Sequence, residues 1–380
     1  MLYTGLKRIK NLPERQRIID KLFLLREQLD KEIPEKMAAN SLLLATWNIR
    51  EFGDNRMTES LYYIAEIISR FDIVALQEVA SNKVGLSQVM DILGKKWDYI
   101  ATDSTEGNAG GWECMAFLYD TTKVNFKNLA GEIVLEKKKL INGLQFARTP
   151  FCVSFQAGWF KFNLATVHIY YGDNKKVNVQ RLAEIDALAK FLKARAKKED
   201  FNYVVLGDFN IPDIDCDYMK ALEKNGFHIP DAIKQHPTDL GDTYHYDQIA
   251  FNLKIDKSRI LFKEKDEDKK PHSGAFNFTK SVYSEEDLSV YRNFFEKEKV
   301  QQTLETARKQ KEQRIKKENK KKGLPDPVDV VLTDEEIEEA IHYYYMGYWR
   351  TLQMSDHLPL WVQLKVDFSN QYLNDLKQQV

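Results

Sequence analysis

Polar and ionisable residues stand at the ends of five apolar segments of this 380-residue chain. The segments span 42–48, 73–78, 164–168, 203–210 and 354–359, and the residues at their ends are Asn48, Glu78, His168, Asp208, Asn210, Asp356 and His357. Burying a polar group costs free energy unless it has a partner, so this recurrence predicts that the strand ends converge on one pocket. A pocket of Asp, Glu, Asn and His without Cys suits a hard cation beside a phosphate.

The chemistry that such a pocket would support is hydrolysis of a phosphate ester. A phosphodiester is an anion that repels nucleophiles, so its hydrolysis needs charge neutralisation, an aligned water and a protonated leaving group. We predict Glu78 as the main metal ligand, with Asn48 and Asp356 completing the shell. The expected cofactor is Mg²⁺, with Mn²⁺ as the alternative.

Four further residues of these segments could handle protons and phosphate oxygens. Asp208 and Asn210 are two residues apart and can face the same side, so Asp208 could take a proton from water while Asn210 donates to a phosphate oxygen. His168 and His357 could act as general acid or base or as phosphate donors. Structural alternatives remain open at this point: Asn48 as a turn cap, Asp208 in an Asx turn, and His168 as a core histidine.

Composition limits the class of protein. Hydrophobic residues make up 43% and charged residues 30%, enough for one large core with attachments. The net charge of −1 is not that of a strongly basic nucleic-acid binder, so an anionic substrate would meet a local patch. Three cysteines without a CxxC pair, a charged segment 1–36 and no long apolar run predict reduced thiols, no membrane span and a cytoplasmic location.

Apolar periodicity predicts the elements that position these residues. Residues 1–40 form a helical extension, and residues 41–254 alternate strands with helices, which indicates an α+β layered domain. The predicted helices are 60–69, 86–93 and 178–198, and the later strands are 112–119, 151–155, 160–167, 203–206 and 246–251.

Residues 255–340 break this rhythm and are predicted to be an insertion. Within it, 296–322 is almost entirely Lys, Glu, Gln and Arg and indicates a solvated helix or coil hairpin, although its basic end could touch a phosphate backbone. The aromatic cluster 343–349 is expected to pack in a core, with stacking on bases as the alternative. Strand periodicity is predicted from Trp349 to Val366, followed by a short helix in the tail 367–380.

The ordered motifs Trp47-Asn48, Gln77-Glu78-Val79, 207–210 and 355–359 resemble the endonuclease/exonuclease/phosphatase superfamily. The resemblance covers 41–254 and 341–366. It implies an α+β fold, a four-layer αββα sandwich, with the active site at one end of two packed sheets. Within the superfamily the motifs are closest to those of the pancreatic-type deoxyribonucleases.

That resemblance implies three further site residues. Glu113 would orient His168, Asp247 would orient His357, and Arg148 would contact phosphate. The implied function is a metal-dependent phosphodiesterase on nucleic acid, an endonuclease, with DNA favoured over RNA. Ala80 stands where relatives carry an arginine, which puts minor-groove binding in doubt. The alternatives are hydrolysis of a small phosphoester or lipid headgroup, and a non-catalytic nucleic-acid-binding module.

Overall fold

A computed structural model describes residues 1–37, 40–105, 111–172, 177–199, 201–262, 271–327 and 329–378. The strands are β1 Ser41–Phe52, β2 Ile73–Ala80, β3 Trp97–Ala101, β4 Glu113–Asp120, β5 Val124–Glu132, β6 Phe151–Ala157, β7 Phe160–His168, β8 Asn202–Asp208, β9 Asp247–Asn252, β10 Ser273–Ala275 and β11 Leu360–Lys365. The α-helices are α1 Leu12–Glu32, α2 Thr58–Ser69, α3 Val84–Leu93, α4 Val179–Glu199, α5 Asp217–Lys224, α6 Asp231–Lys234, α7 Lys257–Ile260, α8 Leu288–Tyr291, α9 Lys297–Lys322, α10 Asp334–Tyr344, α11 Arg350–Gln353 and α12 Ser369–Gln378.

The chain divides into two compact units. We call Met1–Phe278 together with Asp356–Val380 the sandwich unit, and Thr279–Ser355 the helical unit. The predicted insertion, 255–340, differs from the helical unit at both ends. Residues up to Phe278 belong to the sandwich unit because β10 pairs with β11 there, and the helical unit continues past α10 to Ser355.

Two mixed sheets form the centre of the sandwich unit. The six-stranded sheet has the order β10-β11-β1-β2-β4-β3, and the five-stranded sheet has the order β5-β6-β7-β8-β9. Strands β1 and β2 are parallel, as are β7 and β8, while the other neighbours are antiparallel. The parallel pairs therefore place the carboxyl ends of two neighbouring strands side by side in each sheet.

The inner strands are buried on both faces because each sheet lies between another sheet and helices. Ile73 to Leu76 of β2 have no exposed surface, and β1 and β2 contact β8 of the other sheet. Helices α2 and α3 pack together with α3 on β2, and α4 and α5 pack together with α4 on β8. The predicted α+β fold, a four-layer αββα sandwich, is confirmed.

The N-terminal helix α1 is joined to the sandwich unit by an apolar stripe and by ion pairs. Ile18, Leu22, Leu25 and Leu29 are buried at the helical spacing expected from the sequence. Charged residues beside this apolar stripe form ion pairs with α2. Nη2 of Arg17 lies 3.0 Å from Oε2 of Glu59, and Nε of Arg26 lies 2.9 Å from Oε1 of Glu66. The extension is thus part of the sandwich unit.

Most predicted elements occur within a few residues of their expected ends, but the predicted start at Trp349 of the last strand is wrong. Residues Tyr345–Trp349 form a π-helix that continues into α11, and β11 begins only at Leu360. The reason is packing inside the helical unit, where Trp349 contacts the rings of Tyr283, Tyr291 and Tyr345. The aromatic run therefore serves a core, as expected, but as helix.

The charged segment predicted as a solvated helix or hairpin is α9, and none of its residues is buried. It pairs with α10 through Lys311, whose Nζ lies 2.6 Å from Oε2 of Glu336. Thr333 and Glu336 form a capping box that begins α10. None of the helices in the described ranges combines the length and the apolar composition that crossing a membrane requires.

Candidate active site

The carboxyl ends of the two parallel strand pairs carry the candidate site. Asn48 and Glu78 lie on β1 and β2, and His168 and Asp208 are register partners on β7 and β8. The Nδ2 atom of Asn48 lies 2.9 Å from Oε1 of Glu78 and 3.0 Å from Oδ2 of Asp208. Asn48 thus donates to carboxylates on both sheets and joins their ends, as the convergence of strand ends predicted.

Glu78 occupies strained backbone at an irregular point of β2. Its φ is 58°, a left-handed value that is uncommon for a residue other than glycine, and the register with β4 shifts between Leu76 and Val79. Such irregularities re-aim side chains near active sites. Here the carboxylate is held by the backbone N–H of Glu51, which donates to Oε2 at 2.9 Å.

His168 is held by Glu113 on β4. Its Nδ1 lies 3.2 Å from Oε2 of Glu113, and the other oxygen of that carboxylate forms an ion pair with Arg148. The Nε2 atom of His168 faces Oδ2 of Asp208 at 3.5 Å. Glu113, His168 and Arg148 are therefore brought together, with one carboxylate bound to both the imidazole and the guanidinium.

His357 forms a second pair of the same kind with Asp247. Its Nδ1 lies 2.7 Å from Oδ2 of Asp247, and its Nε2 lies 3.8 Å from Oδ2 of Asp208. The main chain of His357 is fixed by Trp47, whose indole N–H donates to its carbonyl oxygen at 2.9 Å. Both imidazoles thus direct Nε2 at the same oxygen of Asp208.

The two histidines have opposite shifts in pKa. Burial lowers the pKa of His168, and the nearby Arg148 charge lowers it further. Burial also acts to lower the pKa of His357, but the charges of Asp247 and Asp208 outweigh it, so this pKa is raised well above its ordinary value. Near neutral pH, His168 is then the imidazole that can accept a proton and His357 the imidazolium that can donate one.

The acidic partners also have shifted pKa values. Burial acts to raise the pKa of Glu78, but His168 and the hydrogen bonds from Glu51 and Asn48 outweigh it, so the pKa is lowered. Burial raises the pKa of Asp247, which shares its proton equilibrium with His357. Glu78 is therefore ionised at neutral pH, as a metal ligand must be.

Asn210 is anchored to the main chain in this structure. Its φ is 54°, its N–H donates to Oδ1 of Asp208 at 2.8 Å, and its Nδ2 donates to the carbonyl of Ile169 at 2.7 Å. One of its two amide hydrogens is thereby engaged. The predicted contact with phosphate would use the other.

Sequence reasoning missed Arg181 and Glu184, one turn apart on α4. The fully buried Arg181 donates from Nη1 to the carbonyl of Asn210 at 2.7 Å and from Nε to that of Tyr170 at 3.1 Å. Glu184 accepts from the backbone N–H groups of Ala147 and Tyr170 at 3.1 and 3.2 Å. They fix the segments beside Arg148, His168 and Asp208. The available signal was a pair of charged residues at buried positions of an amphipathic helix.

One group of side chains in the described ranges has the spacing of a metal site. Ligand atoms of Glu78, Glu113 and His168 all lie within 4.8 Å of one another. The two carboxylates are oxygen donors of the kind that Mg²⁺ or Mn²⁺ prefers, so they fit a divalent cation, while the imidazole is a softer donor beside them. Of the three predicted ligands, Glu78 belongs to this group. Asn48 contacts Glu78 through its amide, and Asp356 is placed by its carbonyl, which accepts from Leu240 N–H at 3.2 Å.

Comparison with known proteins shows which family the chain matches. The model of the Endonuclease/Exonuclease/phosphatase family matches residues 45–258, more than half of the chain. A deoxyribonuclease of Thioalkalivibrio sp. (strain K90mix) is 32% identical over 184 residues, 46% of this chain and 48% of the relative. Deoxyribonuclease-1 of Bos taurus is 28% identical over 200 residues, 48% of this chain and 64% of the relative. The chain thus spans about half to just under two-thirds of these curated relatives.

A comparison with solved structures also gives a match over most of the chain. An endonuclease/exonuclease/phosphatase family protein from Bacteroides thetaiotaomicron is 14% identical, with a TM-score of 0.49 over 87% of this chain and 99% of that one.

Proposed function

Because this chain belongs to the endonuclease/exonuclease/phosphatase family, we propose that it is a metal-dependent phosphodiesterase that hydrolyses nucleic acid, as an endonuclease acting on DNA. The similarity to deoxyribonucleases supports DNA over other phosphate esters. The proposed cation is Mg²⁺, with Mn²⁺ as the alternative.

The observation that carries the proposal is the convergence of two histidine–carboxylate pairs on one oxygen. The Nε2 atoms of His168 and His357 lie 3.5 and 3.8 Å from Oδ2 of Asp208. Since each Nδ1 is bound to a carboxylate, each ring is fixed with its Nε2 directed into the pocket. A phosphodiester hydrolase needs one proton acceptor and one proton donor on opposite sides of the phosphorus.

The proposed step assigns one role to each of these groups. A water oxygen, oriented by Asp208, bonds to phosphorus while the bond from phosphorus to the leaving ester oxygen breaks. His168 takes the proton from the water at Nε2, and His357 gives the proton on its Nε2 to the leaving oxygen. The products are a phosphate monoester and a hydroxyl group. Sequence reasoning left proton acceptance open between Asp208 and the histidines, and the lowered pKa of His168 supports that imidazole.

The remaining residues would neutralise and hold the substrate. Glu78 would bind the cation, with Glu113 as the second carboxylate within reach and with Asn48 and Asp356 around them. A bound divalent cation supplies positive charge for the phosphate oxygens. Arg148 would add a second positive charge, and Asn210 an amide N–H.

Nicking of supercoiled plasmid tests the proposal. The purified protein should nick plasmid with Mg²⁺, and EDTA should stop the reaction. His357→Ala should lower the rate by about 10²–10⁴-fold. The matched control is His342→Ala, which removes a half-buried imidazole of the helical unit.

Three substrates distinguish the possible results. Hydrolysis of a small phosphomonoester without nicking of plasmid would replace the endonuclease with a phosphatase, and cleavage of an RNA oligonucleotide alone would replace DNA. Plasmid nicking that survives His357→Ala at the control rate would contradict the proposed centre.

A further inference from the structure

Helix α9 concentrates positive charge in a chain that is otherwise acidic. It holds eleven Lys or Arg and four Glu, a net of +7, whereas the whole chain carries −1 and the remainder therefore −8. Nine of the eleven basic residues, with two of the four Glu, fall in 308–322. The sequence pattern singled out this segment, and the proposed chemistry does not use it.

Four of these lysines share one side of the helix. Lys309, Lys316, Lys317 and Lys320 stand at positions i, i+7, i+8 and i+11, which lie within about 100° around the axis and about 16 Å along it. We call this set the lysine stripe. Among the described residues only Lys316 of the stripe has an ion pair, with Glu312 at 2.8 Å. The other three are exposed.

The positive charge of the stripe is not neutralised by the neighbouring acidic helix. On α10 the best-placed carboxylate, Glu336, already binds Lys311 at 2.6 Å and lies 3.8 Å from Arg314. Like charges on one helix face repel, and α9 buries no residue that would offset this cost. An anionic partner along the stripe would remove the repulsion.

Aromatic rings lie next to other basic residues of α9. A cleft of about 740 Å³ between α9 and α10 is lined by three tyrosines and by charged residues of both signs, Lys299, Lys311 and Arg314 from α9 and Glu336 and Glu339 from α10. Tyr343 is 75% exposed, and the rings of Tyr344 and Tyr348 are stacked with their centroids 5.6 Å apart. Exposed tyrosine beside a lysine-rich helix is a combination with which proteins bind single-stranded nucleic acid, since bases stack on the rings while lysines meet phosphates.

We propose that the helical unit is a docking surface for single-stranded DNA, with the lysine stripe on the phosphates and Tyr343 stacked on a base. The choice of DNA rests on the proposed function. A membrane surface fits less well, because a helix that binds there needs an apolar face and α9 has none. An acidic protein would use the lysines but would leave Tyr343 without a role.

The test compares two quadruple variants of the full chain. One replaces the stripe (Lys309→Gln, Lys316→Gln, Lys317→Gln and Lys320→Gln), and the control replaces four exposed lysines of the sandwich unit (Lys127→Gln, Lys161→Gln, Lys190→Gln and Lys193→Gln). The control also contains one paired lysine, since Lys190 binds Asp186 at 2.6 Å. Affinity for a fluorescent oligothymidylate of about 20 nucleotides is measured by anisotropy in EDTA at several salt concentrations.

We expect the stripe variant to bind the oligonucleotide at least about tenfold more weakly than the wild-type protein. The slope of log affinity against log salt concentration should become less steep by about 3, because each of the four phosphate contacts contributes about 0.7. The control should change neither quantity. Tyr343→Ala should weaken binding of the oligonucleotide about fivefold or more at an unchanged slope. An unchanged slope in the stripe variant, or equal losses in the control, would overturn the proposal. The proposal would also be overturned if the protein bound polyglutamate as tightly as DNA and Tyr343→Ala did not weaken DNA binding.

A second readout separates this proposal from the proposed function. Hydrolysis of bis(p-nitrophenyl) phosphate with Mg²⁺ needs no docking surface, so the stripe variant should keep the wild-type rate. Suppose that the wild-type protein hydrolyses no phosphodiester, but that the stripe variant binds DNA more weakly than the wild-type protein does. The proposed function would then be wrong, and the proposed docking surface would still be supported. A stripe variant that loses the small-substrate rate and DNA affinity alike would contradict a separate docking role.

Discussion

The Nδ1 atom of His357 lies 2.7 Å from Oδ2 of Asp247, although 110 residues separate them in sequence. Asp247 is fully buried, and its backbone N–H donates to Oγ1 of Thr238 at 3.0 Å. A buried carboxylate in this position favours the imidazolium form, and it does so more strongly than burial opposes it. The pair therefore keeps a proton in the pocket at neutral pH.

Removing the Asp247 charge should lower the pKa of His357. In wild-type protein without metal, the His357 ring should stay protonated through pH 7 and lose its proton well above the ordinary range, while His168 should already be neutral. In Asp247→Asn the largest stabilising charge is gone, so the titration of His357 should move to lower pH. NMR of ring-labelled histidine follows both rings, and equal titration of His168 and His357 would contradict the assignment.

Shortening Arg181 should slow the reaction by mispositioning Asn210. Arg181→Met leaves two carbonyl oxygens without their donor, which should cost about 1–3 kcal/mol in the free energy of unfolding. We expect kcat to fall about tenfold or more, since an ångström of misplacement can cost 10² in rate. Arg181→Lys should recover part of kcat because it restores one donor.

The comparison of kcat with KM distinguishes positioning from a general loss of structure. A purely structural role would lower the amount of active protein, and active-site titration would then account for the whole change in rate. A lowered kcat per active site, with KM within about twofold, supports positioning.

Adding a methyl group at Gly207 should destabilise the sandwich unit. Gly207 has a φ of 132°, and a Cβ there would lie 2.2 Å from the carbonyl oxygen of Val167 on the adjacent strand. We expect Gly207→Ala to lower the free energy of unfolding by about 3 kcal/mol or more in urea titrations. The control is Gly143→Ala, where φ is also positive but nothing lies within 4 Å. If both variants lost the same free energy of unfolding, the positive φ of the glycine, and not overlap of the added Cβ with β7, would account for the destabilisation.

Mg²⁺ should stabilise the protein through Glu78. Ligand binding to the folded state at about 100 times its Kd adds about 2.7 kcal/mol, which appears as a rise in Tm. Glu78→Gln should abolish most of that rise, whereas Glu132→Gln, at an exposed position of β5, should retain it. Calorimetry with and without EDTA measures the difference, and an undiminished rise in Glu78→Gln would move the cation site elsewhere.

The buried central strands could be predicted well because they are largely apolar on both faces. The runs ending at Asn48, Glu78, His168 and Asp208 contain few polar residues, so their ends could be located in the sequence. The helix around Trp349 could not be predicted, because a run of aromatic residues is compatible with both a strand and a packed helix. The contacts between its rings in the helical unit favour the helix.

The site was predicted less completely than the strands. Glu113, Asp247 and Arg148 came from family resemblance, since none of them closes an apolar run. Arg181 and Glu184 act through main-chain groups of other segments, and contacts of this kind leave no spacing in the sequence. The divalent-cation grouping includes Glu113 and His168 because β4 and β7 bring them beside Glu78, a relationship that depends on the packing of two sheets.

The position of β11 between β10 and β1 has a consequence for folding. Ser41 pairs with Lys365, so this sheet closes by joining segments more than 300 residues apart, with the whole helical unit between them in sequence. Contacts of such long range are slow to form, because the loop entropy must be overcome first. His357 precedes β11 by three residues. The proposed hydrolysis should therefore begin only in the last stage of folding, and partly folded chains should not cleave nucleic acid.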